Sequence, residues 1–214
     1  MLFSQDDINS IEKIIKLYRE LKPLIILAEE SDPEKKTLMS VFDELRHSYD
    51  HFLRVLYKRA MDPNGNEIEH YVRENLDKTL SHLYRSGWDT LDWLNVSYYD
   101  LITDIVKKYH SEIINTAIPE YYASIRSEIE SIKNDIVEYR KSKDIGNIDN
   151  ENFQNYIKKI YRMKEIYELI VKKEISLIEL KKKKRNEILF DIRTIIAIIG
   201  VIGTIIGVLL YLLG

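Results

Sequence analysis

The sequence predicts an all-α protein: a helical bundle whose last long helix continues into a single membrane-spanning helix. Three observations carry this reading. Apolar residues recur at steps of three and four along most of the chain, and no stretch alternates with the period of a strand. Only 7 glycines and 4 prolines punctuate 214 residues, and Gly200, Gly203, Gly207 and Gly214 are all at the C-terminal end. From Thr194 to Gly214 there is no charged side chain.

The totals narrow the function classes. Hydrophobic residues at 45% are enough for a core, while 31% charged residues exclude a wholly membrane-embedded chain. A net charge of −3 gives no global attraction to nucleic acid. With no cysteine, disulfides, thiolate zinc sites and cysteine nucleophiles are ruled out. No phosphate-binding glycine loop, nucleophile elbow, paired-carboxylate spacing or zinc signature occurs, and no cofactor or metal is expected. The opening MLFSQDDINS has neither the basic nor the apolar region of a secretory signal.

Taken in order, Ser4 and Asp7 form an N-terminal capping pair that opens a helix through Ile8, Ile11, Ile15 and Leu21, with Pro23 expected to kink or end it. Asp32 and Pro33 read as the cap and first position of a second helix reaching about Ala60. Its expected inward stripe is Leu38, Phe42, Leu45, Tyr49, Phe52 and Leu56. MDPNGNE reverses the chain near Asn64.

A third helix starts near Glu67 and keeps Leu76, Leu80, Leu83, Leu91, Leu94, Tyr98, Leu101 and Ile105 in phase across Gly87. That continuity places Gly87 inside the helix at a close-packing point, despite its propensity cost of ~1 kcal/mol. Pro119 marks the next boundary, before a fourth helix bearing Tyr122, Ile125, Ile129, Ile132 and Ile136. KDIGNIDNEN is a loop. From Asn152 nothing interrupts the pattern: Phe153, Tyr156, Ile160, Met163, Tyr167, Ile170 and Leu177 form a packed seam. The expected product is an unbroken rod of about 60 residues, roughly 90 Å long. The domain organisation is therefore a helical bundle over 1–150, a connecting helix with a basic end over 151–186, and a transmembrane helix over 187–214.

About 20 uncharged residues at ~1.5 Å each span a ~30 Å hydrocarbon core. The basic run Lys181, Lys182, Lys183, Lys184 and Arg185 precedes them and nothing basic follows. The positive-inside bias then puts the N-terminal body in the cytoplasm and makes the protein single-pass in the cell inner membrane, with the lysine run anchored at the bilayer surface. A minority reading has that run grip a nucleotide or nucleic acid. On a helical wheel, Arg193, Ala197, Gly200, Gly203, Thr204, Gly207, Tyr211 and Gly214 share about one third of the circumference. A solitary anchor needs only apolar bulk. A small-residue stripe with a GxxxG step at Gly203 and Gly207 argues for helix association or a pore lining, and so for a homo-oligomer.

The stretch DELRHSYDHFLRVL carries a polar cluster: Asp43, Arg46, His47, Asp50 and His51. If the chain reverses near Asn64, Arg46 comes level with His82 and Asp43 with Arg85, and HLYRSGWD, with Asp89, faces the cluster. On the wheel Arg46 flanks the expected apolar stripe. His47 and His51 lie round the other side, facing solvent or a second subunit. A satisfied inter-helix ion-pair layer is the plainest reading, and His47 with His51 lacks a third ligand for a metal.

Arg46 and His51 form R-x4-H, with polar His47 directly after the arginine, on a helix of an all-α bundle. This resembles the signature of the HEPN superfamily and covers roughly residues 34–110. The resemblance implies that, in an active ribonuclease, Arg46, His47 and His51 would meet their copies across a dimer and act on an RNA phosphodiester. Joined to one membrane helix, the head is also similar to small HEPN-like membrane effectors of bacterial antiphage defence. Those include effectors encoded beside RNA-targeting CRISPR nucleases, and related ones are partnered with nucleotidyltransferases. Three functions follow as expectations. The first is an oligomeric membrane effector that forms a signal-gated pore, triggered at its head by a nucleotide, a nucleic acid or a defence-system partner, with Arg46 and His51 structural or gating. The second is a membrane-tethered ribonuclease. The third is a tail-anchored structural scaffold.

Overall fold

The computed structural model describes residues 3–32, 38–61, 68–141, 143 and 151–213. Among them are seven α-helices, one π-helical turn and no strand: α1 (Gln5–Ser31), α2 (Met39–Met61), α3 (Ile68–Val106), α4 (Ser111–Ala117), the π-turn (Tyr121–Ile125), α5 (Arg126–Lys141), α6 (Glu151–Lys172) and α7 (Glu174–Leu213). The chain divides into two compact units, one of residues 1–103 with 128–167 and one of residues 104–127 with 168–214.

In the first unit α3 is the central element, with Val72, Leu76, Leu83, Tyr84, Trp88, Leu91, Leu94 and Tyr98 all buried. Each such side chain contributes about 1.5–3 kcal/mol of transfer free energy. Trp88 is the hub of an aromatic cluster, with ring centroids 5.6 Å from Phe153 and 5.7 Å from Tyr156. Gly87 is inside α3, as its phase predicts. A β-carbon there would stand 2.6 Å from Leu21 Cδ2 and 2.8 Å from Phe153 Cζ, so α1 and α6 close on α3 where a side chain is missing. On α6 the seam Phe153, Tyr156, Ile160 and Met163 is fully buried.

Several local expectations are corrected. The reciprocal Ser4–Asp7 cap forms, with Asp7 N–H donating to Ser4 Oγ at 3.2 Å and Ser4 N–H donating to Asp7 Oδ2 at 2.9 Å. The helix it opens runs straight through Pro23. Leu21 and Leu24 on either side are buried, and their packing outweighs one lost backbone bond. Asp32 caps the end of α1 rather than starting a helix within the described residues, and Pro33 lies outside them. Most of the predicted loop at 143–152 lies outside them too.

Both α1 and α2 are turned from their expected faces. The buried line of α1 is Asp7, Ile14, Leu17, Leu21, Leu24 and Ala28, and Ile15 is exposed. In α2 the buried line is Val41, Ser48, Val55 and Arg59, while Phe42, Tyr49 and Leu56 of the predicted stripe are exposed. The cause is satisfied polarity combined with small size. Ser48 donates its hydroxyl to the Thr79 carbonyl at 3.0 Å, a contact that requires α2 and α3 to approach closely. The short Val41–Ser48–Val55 line permits that approach and the aromatics would not.

In the second unit α3 ends at Val106, well before Pro119, and the short α4 intervenes. After Pro119 the chain makes the π-turn, and Tyr121 is buried where Tyr122 was expected, because Tyr121, four residues before Ile125, lies closer to the line of Ile125, Ile129, Ile132 and Ile136. The last rod is interrupted: Lys173 is a turn between α6 and α7, its N–H donating to Ile170 O at 3.0 Å. Packing of α4 on α7 buries Ile113, Ile114 and Leu177.

Candidate functional site

Rotation of α2 reverses the expected roles in the polar cluster. Arg46 points to solvent, 60% exposed, and its nearest partners are on its own helix: Asp43 at 3.6 Å and His47 Nε2 at 3.4 Å. His47 and His51 instead face α3. Their ring centroids each lie 5.3 Å from that of His82, and the His51 plane is 13° from parallel to it. His51 Nδ1 is 2.9 Å from Asn75 Oδ1, and the Asn75 amide donates to Tyr71 O at 2.9 Å. His82 Nδ1 is 2.6 Å from Glu44 Oε2. The hairpin therefore does bring His82 opposite the opening cluster, but Glu44, His47 and His51 meet it and Arg46 does not. Asp43 pairs with Arg46 rather than Arg85, and Asp50 pairs with Arg54 at 2.7 Å. Among the described residues no group of three or more histidines and carboxylates is placed to hold a metal ion.

Asp89 is on the face of α3 turned to α2, hydrogen-bonded with Ser40 and near Glu44, with Lys143 at 4.0 Å. Burial pushes its carboxyl above the usual aspartate range, opposed by the nearby ammonium. One turn on, Tyr156 donates its hydroxyl to Asp92 Oδ1 at 2.9 Å, and burial holds the phenol well above its ordinary value.

The most enclosed charges were not singled out by sequence. Arg59 is buried at the end of the Val41–Ser48–Val55 line, bonded to the buried Asp7 of α1 and bidentate to Glu69 of α3 at 2.6 and 2.7 Å. The Glu69 hydrogen bond, followed by the Asp7 contact, holds the guanidinium above its normal value, and the same bond holds Glu69 below the usual carboxylate range. Arg59 Nε has no partner. The cluster ties three helices together, with Arg59 and Asp7 enclosed and Glu69 at its exposed rim, and its role is structural. The signal that could have found it is the heptad step 41, 48, 55 followed by Arg59 at i+4.

In α7, residues 174–209 are long and apolar enough to cross a membrane, and none of the apolar window is buried within the chain. From Ile188 to Leu209 the large apolar side chains are exposed around the whole circumference. A β-carbon added at Gly200, Gly203 or Gly207 meets nothing within 4 Å, so the small-residue face is open. Its one polar group within that glycine step is internally satisfied, because Thr204 donates to the Gly200 carbonyl at 2.8 Å. Arg193 and Ala197 are exposed on the same helix, and Tyr211 continues it.

At the basic end of α7 the residues divide. Lys181 donates to the Lys108 carbonyl at 2.9 Å with its ammonium 5.3 Å from the Tyr109 ring centroid, and Lys184 pairs with Glu112. Lys184 holds the Glu112 carboxyl below the usual range. Lys183 reaches only Glu187, at 4.0 Å, and Lys182 and Arg185 have no ion pair among the described residues. Two of the five predicted membrane-surface cations thus clamp α4 and the α3–α4 corner. No protein-family model, curated protein or solved structure matches this chain.

Proposed function

We propose that this chain is an oligomeric single-pass effector of bacterial antiphage defence, whose C-terminal helices associate in the inner membrane to form a signal-gated pore. The carrying observation is α7: an uncharged helix end, unburied as far as Leu209, with a glycine face that no described residue occupies. Exposed apolar side chains around a full helix circumference are stable in lipid and not in water. In lipid, close approach along a GxxxG face is what drives helices together. The lysine run on the N-terminal side favours a cytoplasmic body by the positive-inside bias. The defence setting and the trigger rest on the R-x4-H resemblance alone.

A membrane-tethered ribonuclease draws less support. Arg46 is turned to solvent while His51 is engaged with Asn75 and His82, so the two do not converge on one point within the chain. The deciding experiment measures membrane potential on expression, and conductance of the purified protein in planar bilayers, for wild type and for Gly203→Leu/Gly207→Leu. Wild type is expected to depolarise and conduct, and the variant to do neither. Absence of conductance and depolarisation in wild type under phage challenge overturns the pore reading in favour of a scaffold. RNA cleavage lost in Arg46→Ala and His51→Ala would favour the ribonuclease.

A further inference from the structure

We infer that the assembled pore passes small anions, because the side of α7 left free to face a central axis brings only cations to the bilayer edge. The inference rests on the pore reading and names what such a pore carries. One side of α7 is already taken. Leu177 is buried, Leu180 and Lys184 are half-buried, and Lys184 pairs with Glu112, so α4 covers this side. At about 3.6 residues per turn the same line continues through Glu187 to Asp191. The opposite side is bare, with Ile175 71% exposed and Ile178 52%. Stepping by three and four from Ile178, it carries Lys182, Arg185, Leu189 and Arg193.

Charge is therefore sorted by face. In a ring of parallel copies α4 takes the outside of each α7, and the bare side is left to the axis. That arrangement also covers two isoleucines otherwise exposed outside the apolar stretch. The acidic side chains nearest the membrane, Glu187 and Asp191, go outward with α4. They are then set off from the axis by the helix's own width, about 10 Å, roughly one Debye length. Arg193 stands directly before the uncharged stretch that begins at Thr194. Arg185 and Lys182 follow roughly 12 and 16 Å further out along the helix axis. None of the three has an ion pair among the described residues. Glu179, at the edge of the bare side, is the nearest acid and lies farther from the bilayer than all of them. Repeated around an axis, these side chains make successive rings of positive charge. Rings of Arg or Lys favour anions as acidic rings favour cations, and a mouth lined with one sign concentrates the opposite ion.

Two measurements on full-length protein test this, and the first needs no open pore. The chain has no cysteine of its own, so single cysteines report cleanly. Ile178→Cys is expected to form disulfides between copies in liposomes under mild oxidation, and Glu187→Cys, on the side of α4, is expected not to. Cross-linking by neither variant, or as much by Glu187→Cys as by Ile178→Cys, overturns the inference. The second measurement records current across planar bilayers with unequal potassium chloride on the two sides. Chloride is expected to permeate about tenfold better than potassium. Arg193→Glu is expected to abolish that preference, Arg193→Lys to keep it and Asp191→Asn to leave it unchanged. Conductance without a chloride preference overturns this inference and leaves the pore reading standing. So does a preference that survives Arg193→Glu, or one that Asp191→Asn removes. Absence of any conductance takes the pore reading and this one together.

Discussion

The His51 ring lies almost parallel to that of His82, with centroids 5.3 Å apart and planes 13° from parallel, while Arg46 five positions earlier points away from both. The relationship joins α2 to α3 and makes the histidines part of a packing layer. His51→Ala removes the stack and leaves Asn75 Oδ1 unbonded, so it should lower unfolding stability by ~1 kcal/mol. Arg46→Ala, at an exposed position, should change it by no more than about 0.5 kcal/mol. Denaturant melts of the two variants in the same detergent check this. Equal effects would mean that the layer carries no weight.

Gly87 gives a prediction whose sign opposes helix propensity. In an exposed helix interior, Gly→Ala gains about 1 kcal/mol. Here the new methyl would press on Leu21 and Phe153, so Gly87→Ala should cost roughly 1–3 kcal/mol. A stabilised variant in thermal melts would show that α1 and α6 do not close on α3 at this point.

The buried Arg59 predicts a larger loss. Arg59→Met leaves Asp7 buried without its guanidinium, at a cost of about 3–5 kcal/mol. The double variant Arg59→Met/Asp7→Leu should recover much of it, since removing both charges also removes the desolvation penalty. Failure of the second change to rescue the first would place the cost in lost packing instead.

Acid should act on two carboxylates in opposite senses. Glu128 is held below its ordinary range chiefly by the hydrogen bond from Arg162, whose Nε and Nη2 lie 2.7 and 2.9 Å from its oxygens. A depressed folded value contributes stability above the unfolded range near ~4.3, and that stability is lost as pH falls through the folded value. Arg162→Ala should therefore flatten the acid limb of stability against pH. Asp89, raised by burial, does the reverse: stability falls as pH climbs from ~3.9 through its folded value. Asp89→Asn should be relatively more stable at neutral pH than in acid. Denaturant melts across this pH range, run on both variants, test each sign.

Docking of α4 on α7 through Lys181, Lys184 and Glu112 predicts that Lys181→Ala/Glu112→Ala loosens residues 108–118. Hydrogen exchange should rise in that segment and stay unchanged in α3 of the first unit. Unchanged exchange would mean that the apolar contacts of Ile113 and Ile114 alone hold α4.

How much was legible depended on what kind of information each residue carries. Helical periodicity, the Ser4–Asp7 cap, the inward Gly87, the buried seam of α6 and the apolar end of α7 were all readable, because each follows from local backbone chemistry or a strong one-sided pattern. The face of α2 was not. Two stripes run along it, one rich in aromatics and one of Val41, Ser48, Val55 and Arg59, and hydrophobicity alone chooses the first. The tertiary structure chose the second, because Ser48 and Arg59 find buried partners on α3 and α1 that only the folded chain supplies. That rotation decided which of Arg46 and His51 faces inward, and it left Phe42 and Tyr49 on the surface. The sequence by itself determined the helices and the membrane-length segment, since those depend on neighbours along the chain. Which side each helix presents depends on partners distant in sequence, and there the satisfaction of two buried polar side chains outweighed the larger apolar face.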